Sequence, residues 1–82
     1  MQDQTVTFSL GEDRTAQMKS YLGVVFDALT EKGYNPINQI VGYILSEDPT
    51  YITTHCNARS IISKLDRDEL LRELVRNFIE KE

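Results

Sequence analysis

Four amphipathic segments with helical spacing follow one another along the sequence and leave little room for other secondary structure. Between about Asp13 and Lys32, apolar residues recur at i, i+3, i+4, i+7, i+8 and i+11, which places them along one face of a helix. Shorter apolar stripes follow in residues 37–45, 58–65 and 70–79. The sequence therefore predicts an all-α fold, a small bundle of about four helices.

The break after the first segment carries strong stop and start signals for helices. Gly33 can adopt the positive φ of a helix end. Asn35 and Pro36 favour a new helix, because an asparagine side chain can accept a backbone N–H and proline has no N–H to leave unpaired. Gly42 lies inside this second helix, where we expect close packing against another helix. The second helix is expected to be the most buried of the four.

The later breaks are marked by short polar stretches. Pro49 ends the second helix, because proline disfavours a helical residue before it. Tyr51 and Ile52 are expected to fold back onto the core from this loop. The third helix is predicted to start with Thr53 or Thr54 as its cap and to end near Lys64. Asp66 and Glu69 have the spacing of a capping box for the fourth helix.

The chain has 82 residues with one cysteine and one histidine, which limits how the fold can be stabilised. A lone cysteine excludes an intrachain disulfide, and no zinc site of the usual kind is expected. Small cores of this type are often supported by oligomerisation. The apolar stripe of the fourth helix is wide for a terminal helix, so we expect part of it to form an interface in a homodimer.

The first eleven residues differ from the rest in their pattern. Val6, Phe8 and Leu10 alternate with polar residues, which is typical of a short strand or an extended arm. Because no second strand is predicted, we favour a flexible arm over residues 1–11, followed by a single helical domain over residues 12–82. Such an arm would present Thr5 and Thr7 to a protein kinase.

Targeting signals and membrane segments are not expected. No apolar run approaches the ~20 residues that span a bilayer, and residues 1–7 lack the layout of a signal peptide. We therefore expect a cytoplasmic protein without membrane insertion.

The usual signatures of catalysis are weak in this sequence. His55 and Cys56 are neighbours, but neighbouring side chains on a helix point about 100° apart, and no acid at a defined spacing orients the histidine. The acid pairs Glu12-Asp13 and Glu47-Asp48 stand where caps and turns are expected. There is no glycine-rich phosphate loop. The sequence predicts no enzyme, no catalytic residue, no cofactor and no bound metal.

A small helical nucleic-acid-binding module is the alternative function. The helices on either side of residues 46–54 could be placed in a helix-turn-helix, but this connection is too long for the usual tight turn. The net charge is −4, and the basic residues between Arg59 and Arg76 alternate with acids. A solvated face of mixed charge is the favoured interpretation, and no nucleic-acid partner is expected.

The central segment, residues 31–43, reads EKGYNPINQIVGY. It resembles the central motif of the IreB family of small regulatory phosphoproteins from low-GC Gram-positive bacteria. The similarity extends over nearly the whole chain and continues in Leu45-Ser46, Asp48-Pro49, Tyr51-Ile52, Asn57-Ala58-Arg59, Arg67-Asp68, Glu73-Leu74-Val75 and Phe78.

The resemblance implies a non-enzymatic cytoplasmic regulator that forms homodimers. Such proteins are substrates of a transmembrane Ser/Thr kinase and its partner phosphatase, and they act in responses to envelope stress and cell-wall antibiotics, through a downstream protein that the residues do not identify. Thr5 matches one phosphorylated position of the family. The family's earlier threonine falls near Gln2 or Asp3, where this chain has none, and Thr7 is the candidate to replace it.

Overall fold

Every secondary-structure element in the described part of the chain is a helix or a 3-10 turn. The computed structural model describes residues 14–80 with their side chains, gives only the course of the first helix for residues 2–13, and leaves Met1, Lys81 and Glu82 undescribed. The helices are α1 (Gln2–Glu31), α2 (Pro36–Ser46), α3 (Ala58–Ile62) and α4 (Arg67–Glu80), with 3-10 turns at Pro49–Tyr51 and His55–Asn57. Along residues 2–80 there is no strand, which confirms the predicted all-α class.

The structure differs from the prediction for the start of the first helix. α1 begins at Gln2, and not at the predicted cap Asp13. The side chains of the predicted arm, residues 1–11, lie outside the described residues. The division of the chain into an arm and a helical domain therefore stays a prediction.

The break between α1 and α2 forms as the sequence predicts. Gly33 has a φ of 86°, and the N–H of Tyr34 donates to the carbonyl of Leu29 at 2.9 Å. At the start of α2, the N–H of Asn38 donates to Oδ1 of Asn35 at 3.1 Å, so Asn35 is the N-cap and Pro36 opens the helix. These bonds satisfy backbone groups that the two helix ends would otherwise leave without a partner.

Gly42 makes the close approach that the sequence predicts, but its neighbour is not a helix. A Cβ at this position would lie 2.6 Å from Cδ1 of Tyr51, which belongs to the first 3-10 turn. The amide Nε2 of Gln39 also donates to the carbonyl of Tyr51 at 2.8 Å. The first 3-10 turn therefore packs against one side of α2.

Asp48 caps the same 3-10 turn. Its Oδ1 accepts the Thr50 hydroxyl at 2.7 Å and the Thr50 N–H at 3.0 Å. The hydrogen bond from the Thr50 hydroxyl, followed by that from the Thr50 N–H, lowers the pKa of the Asp48 carboxyl. Because the pKa is lowered, this cap stabilises the fold above the ordinary pKa of aspartate and is lost as the pH falls through the lowered value.

The core lies between α1 and the segments that follow it. Val25 and Leu29 of α1 are fully buried together with Ile52, Ile62 and Leu70. Ile52 therefore does fold back onto the core, whereas Tyr51 beside it stays half-exposed. The remaining buried residues are Met18, Ala28, Tyr43, Ile44 and Ala58.

The prediction that α2 is the most buried helix is wrong. Two of the eleven residues of α2, Tyr43 and Ile44, are buried, against two of the five residues of α3. The apolar stripe of α2 is wider than the surface that α1 and the 3-10 turn cover. One edge of the stripe packs inward, and Ile37, Val41 and Leu45 remain exposed.

Of the last two helices, α4 begins with a side-chain cap and α3 does not. The prediction that Thr53 or Thr54 caps the third helix is wrong, because α3 begins only at Ala58 and the residue before it, Asn57, makes no side-chain capping bond. The N–H of His55 donates to the hydroxyl of Thr53 at 3.2 Å, whereas Thr54 makes no capping bond. α3 ends at Ile62, two residues before the predicted end.

At the start of α4, Oδ1 of Asp66 accepts the N–H of Asp68 at 2.9 Å. Arg67 donates from Nη1 to the carbonyl of Ile44 at 2.7 Å, which ties α4 to the end of α2.

Asn35→Ala should lower the free energy of unfolding by about 1 kcal/mol, because it removes the side chain that caps α2. Thermal or urea denaturation measures this loss. Asn38→Ala is the matched control, since it leaves the capped N–H in place and should change stability little. Equal losses in both variants would contradict the capping role.

Gly42→Ala should destabilise the protein by about 1–3 kcal/mol, because the new methyl group overlaps the ring of Tyr51. Gly23→Ala is the control: a methyl group added to Gly23 of α1 would meet no atom within 4 Å beyond its own helix backbone, so alanine should stabilise there by up to ~1 kcal/mol. In a Tyr51→Ala background, Gly42→Ala should also become stabilising. Destabilisation that persists in this background would show that the clash lies elsewhere.

Candidate functional site

The outer side of α4 is a row of exposed apolar side chains. Leu70 of this helix is buried, whereas Phe78 is 87% exposed and Ile79 is 67% exposed. Leu71 and Val75 complete the row at helical spacing, and we call these four exposed residues (Leu71, Val75, Phe78 and Ile79) the α4 outer face. The prediction that the apolar stripe of α4 exceeds what the core needs is confirmed for a single chain.

Charged residues lie beside the α4 outer face. A shallow groove along the helix is lined by Leu71, Val75 and Ile79 together with Asp68, Arg72, Arg76 and Glu80. An apolar strip with a charged rim of both signs is typical of a surface that binds another protein.

A second apolar row lies on α2. Ile37, Val41 and Leu45 follow at i, i+4 and i+8, and Leu45 is 78% exposed. We call these residues the α2 outer row. Sequence reasoning assigned them to the core, because periodicity shows that a helix has an apolar face but does not show how much of that face a neighbour covers.

The basic residues predicted on the C-terminal half are largely engaged by acids or carbonyls. Arg67 pairs with Glu47, and Arg76 lies 3.9 Å from Glu73. Arg14, which is outside this group, pairs with Glu69 at 3.0 Å. Arg59 donates from Nε to the carbonyl of Ile52 at 2.8 Å. This arrangement fits the predicted face of mixed charge.

Glu31, His55 and Cys56 form a cluster that the sequence analysis did not predict. Oε1 of Glu31 lies 2.7 Å from Nε2 of His55, although the residues are 24 positions apart. One ligand atom from each of the three side chains lies within 4.8 Å of the other two. An acid therefore does orient His55, contrary to expectation.

The backbone of Cys56 explains why helical geometry misjudged this pair. Cys56 has a φ of 54° and Asn57 a φ of 62°, so the 3-10 turn contains two left-handed residues in succession. The angle of about 100° between neighbours holds only within a helix. The left-handed backbone instead leaves the thiol and the imidazole near the same carboxylate.

Thr5 and Thr7, the predicted phosphorylation sites, have side chains outside the described residues. Nothing in residues 14–80 tests their role. Within the described part of the chain, no helix combines the length and the apolar character needed to cross a bilayer.

The motif in residues 31–43 consists largely of residues that shape this fold. Gly33, Asn35 and Pro36 form the break between α1 and α2, while Gln39 and Gly42 hold the first 3-10 turn. Their identity is therefore required by backbone geometry and close packing, independent of any bound partner.

Comparison with known proteins agrees with the resemblance seen in the motif. A sequence model of the family described as "IreB regulatory phosphoprotein" matches residues 3–80. A protein of Acetivibrio thermocellus, named "UPF0297 protein", is 53% identical over 79 residues, which cover 96% of this chain and 88% of the relative. The chain thus belongs to the IreB family of regulatory phosphoproteins.

Proposed function

We propose that this protein is a non-enzymatic cytoplasmic regulator and a substrate of a transmembrane Ser/Thr kinase and its cognate phosphatase. It acts in the response to cell-envelope stress and cell-wall antibiotics by contacting another protein. Membership of the IreB family supports the regulatory role. The structural observation that carries the contact function is the α4 outer face, an apolar surface that a single chain leaves in water.

The phosphorylation sites proposed are Thr5 and Thr7. Thr5 is proposed because it resembles one phosphorylated position of the family, and Thr7 is proposed as the candidate to replace the earlier threonine that this chain lacks. A phosphate would add roughly −1.5 to −2 charges to a chain whose net charge is already −4. Arg14 is the nearest cation along the sequence, and its pairing with Glu69 means that a phosphate must compete for it.

A second copy of the chain is the proposed partner of the α4 outer face. Burial of apolar surface contributes about 25 cal/mol per Å² before the entropy of association is subtracted. Phe78 and Ile79 are the most exposed large apolar residues of α4, so pairing of two α4 helices would remove their side chains from water.

Phe78→Glu should shift the protein from dimer to monomer in sedimentation equilibrium at micromolar concentration. The charge would have to be buried between two apolar faces, which is unfavourable. Leu45→Glu is the control, because it places the same charge on the similarly exposed α2 outer row. A 9.4 kDa species for the unmodified protein would contradict the dimer, and dissociation by Leu45→Glu alone would place the interface on α2.

Phosphorylation of Thr5 and Thr7 should leave the helical core unchanged, since the first core residue in the described part of the chain, Met18, comes eleven positions after Thr7. Amide NMR spectra of the unmodified and phosphorylated proteins test this. We expect shift changes at the N-terminus and at cations such as Arg14. Changes spread through residues 37–45 would instead reveal a rearrangement of the core.

Mass spectrometry after treatment with the kinase identifies the sites. Thr5→Ala and Thr7→Ala should each remove the phosphate from the substituted position. Thr15→Ala, at a threonine within the described part of α1, is the control and should leave phosphorylation unchanged. Unaltered phosphorylation of the double Thr5/Thr7 variant would contradict the assignment.

A further inference from the structure

We propose that Glu31, His55 and Cys56 form a binding site for one thiophilic divalent metal ion of the Zn²⁺ type. The three side chains come from two elements that pack together: Glu31 is the last residue of α1, and the other two belong to the second 3-10 turn. No covalent step is involved, and the site is independent of the phosphorylation and pairing proposed above.

The distances in the cluster suit a metal ion after small side-chain movements. Zn²⁺ lies ~2.0–2.3 Å from its nitrogen, oxygen and sulfur ligands, so tetrahedral ligand atoms are about 3.5 Å apart. Here Oε1 of Glu31 and Nε2 of His55 are 2.7 Å apart, and all three ligand atoms lie within 4.8 Å of one another. Shifts of about 1 Å bring them to coordination distance.

The types of donor atom favour Zn²⁺ over the common hard cations. Ca²⁺ and Mg²⁺ are held by sets of oxygen atoms, whereas a thiolate and an imidazole prefer softer ions. A thiolate and a carboxylate also supply two negative charges, which neutralise a divalent ion. With a single cysteine and a single histidine, the chain cannot form the common sites with four Cys or His ligands. It can form a mixed site in which a carboxylate is the third ligand.

The backbone around the cluster is fixed by hydrogen bonds. The N–H of His55 donates to the Thr53 hydroxyl, and the N–H of Asn57 donates to the carbonyl of Thr54 at 3.0 Å. A further bond joins the N–H of Arg59 to the carbonyl of Thr53 at 3.0 Å. The left-handed Cys56 is therefore held in a conformation that cysteine seldom adopts.

The exposure of the cluster defines the kind of site. Glu31 and Cys56 are exposed and His55 is half-buried, so an ion can enter without opening the fold. Three protein ligands leave a fourth tetrahedral position for water or for a group from another molecule. The site is therefore accessible from solvent, and its occupancy would follow the metal concentration. The core can fold without the ion.

Titration of the reduced full-length protein with Co²⁺ tests the proposal. Cobalt bound to a thiolate gives a charge-transfer absorption, and Cys56 is the only thiol in the chain. We expect this absorption to saturate at one ion per chain and to vanish when Zn²⁺ is added. Zn²⁺ should also raise the melting temperature of the protein, because it binds the folded state.

Variants separate a three-ligand site from binding by the thiol alone. Cys56→Ser should abolish the absorption, and Glu31→Gln and His55→Ala should each weaken Co²⁺ binding by roughly 10-fold or more. Asp27→Asn is the control, since it removes a negative charge one turn before Glu31 and should have a much smaller effect. Circular dichroism of each variant without metal checks that the fold is retained.

Three results would overturn the proposal. The first is the lack of cobalt–thiolate absorption in the folded, reduced protein. The second is wild-type affinity in Glu31→Gln and His55→Ala, which would leave the thiol as the single ligand. The third is one ion per two chains, which would place the ion between copies.

Discussion

The ring of Tyr51 lies where any residue other than glycine at position 42 would place its Cβ, and much of the fold after α2 follows from this contact. The Tyr51 ring packs against α2, and the Tyr51 carbonyl accepts a hydrogen bond from Gln39. Together these contacts fix the first 3-10 turn relative to α2. The next residue, Ile52, then enters the core, and its carbonyl receives the guanidinium of Arg59. A missing side chain on one helix thereby sets the path of the chain into α3.

The same architecture explains why so much apolar surface stays in water. α1 is the long element against which the others pack, and it supplies four of the core residues. The shorter helices each bury one edge against it and expose the other. An 82-residue chain cannot enclose these faces alone, so exposed leucine, isoleucine and phenylalanine are a consequence of its size.

Sequence reasoning predicted best what local chemistry decides. The helix end at Gly33, the cap at Asn35 and the cap at Asp66 each depend on residues within four positions, and the structure has all three. The burial of α2 was predicted wrongly, because burial depends on neighbours that periodicity cannot locate. The exposed face of α4 could be predicted, because its stripe is wider than a terminal helix of a small core can bury.

The cluster of Glu31, His55 and Cys56 lay beyond local rules for two physical reasons. Its acid is 24 residues from its histidine, and no sequence pattern links the two. Its cysteine has a positive φ, which is uncommon for a residue other than glycine or asparagine. The expectation of no usual zinc site counted cysteine and histidine alone and did not consider a carboxylate as a third ligand.

The position of the single cysteine has a practical consequence for how copies of this protein are counted. Cys56 is exposed, so two chains can become joined through their thiols when the protein is handled in air. That covalent link would connect the second 3-10 turns, whereas the α4 helices are elsewhere on the chain. A band of double mass on a non-reducing gel would therefore report oxidation of the sample, and the native association has to be measured under reducing conditions.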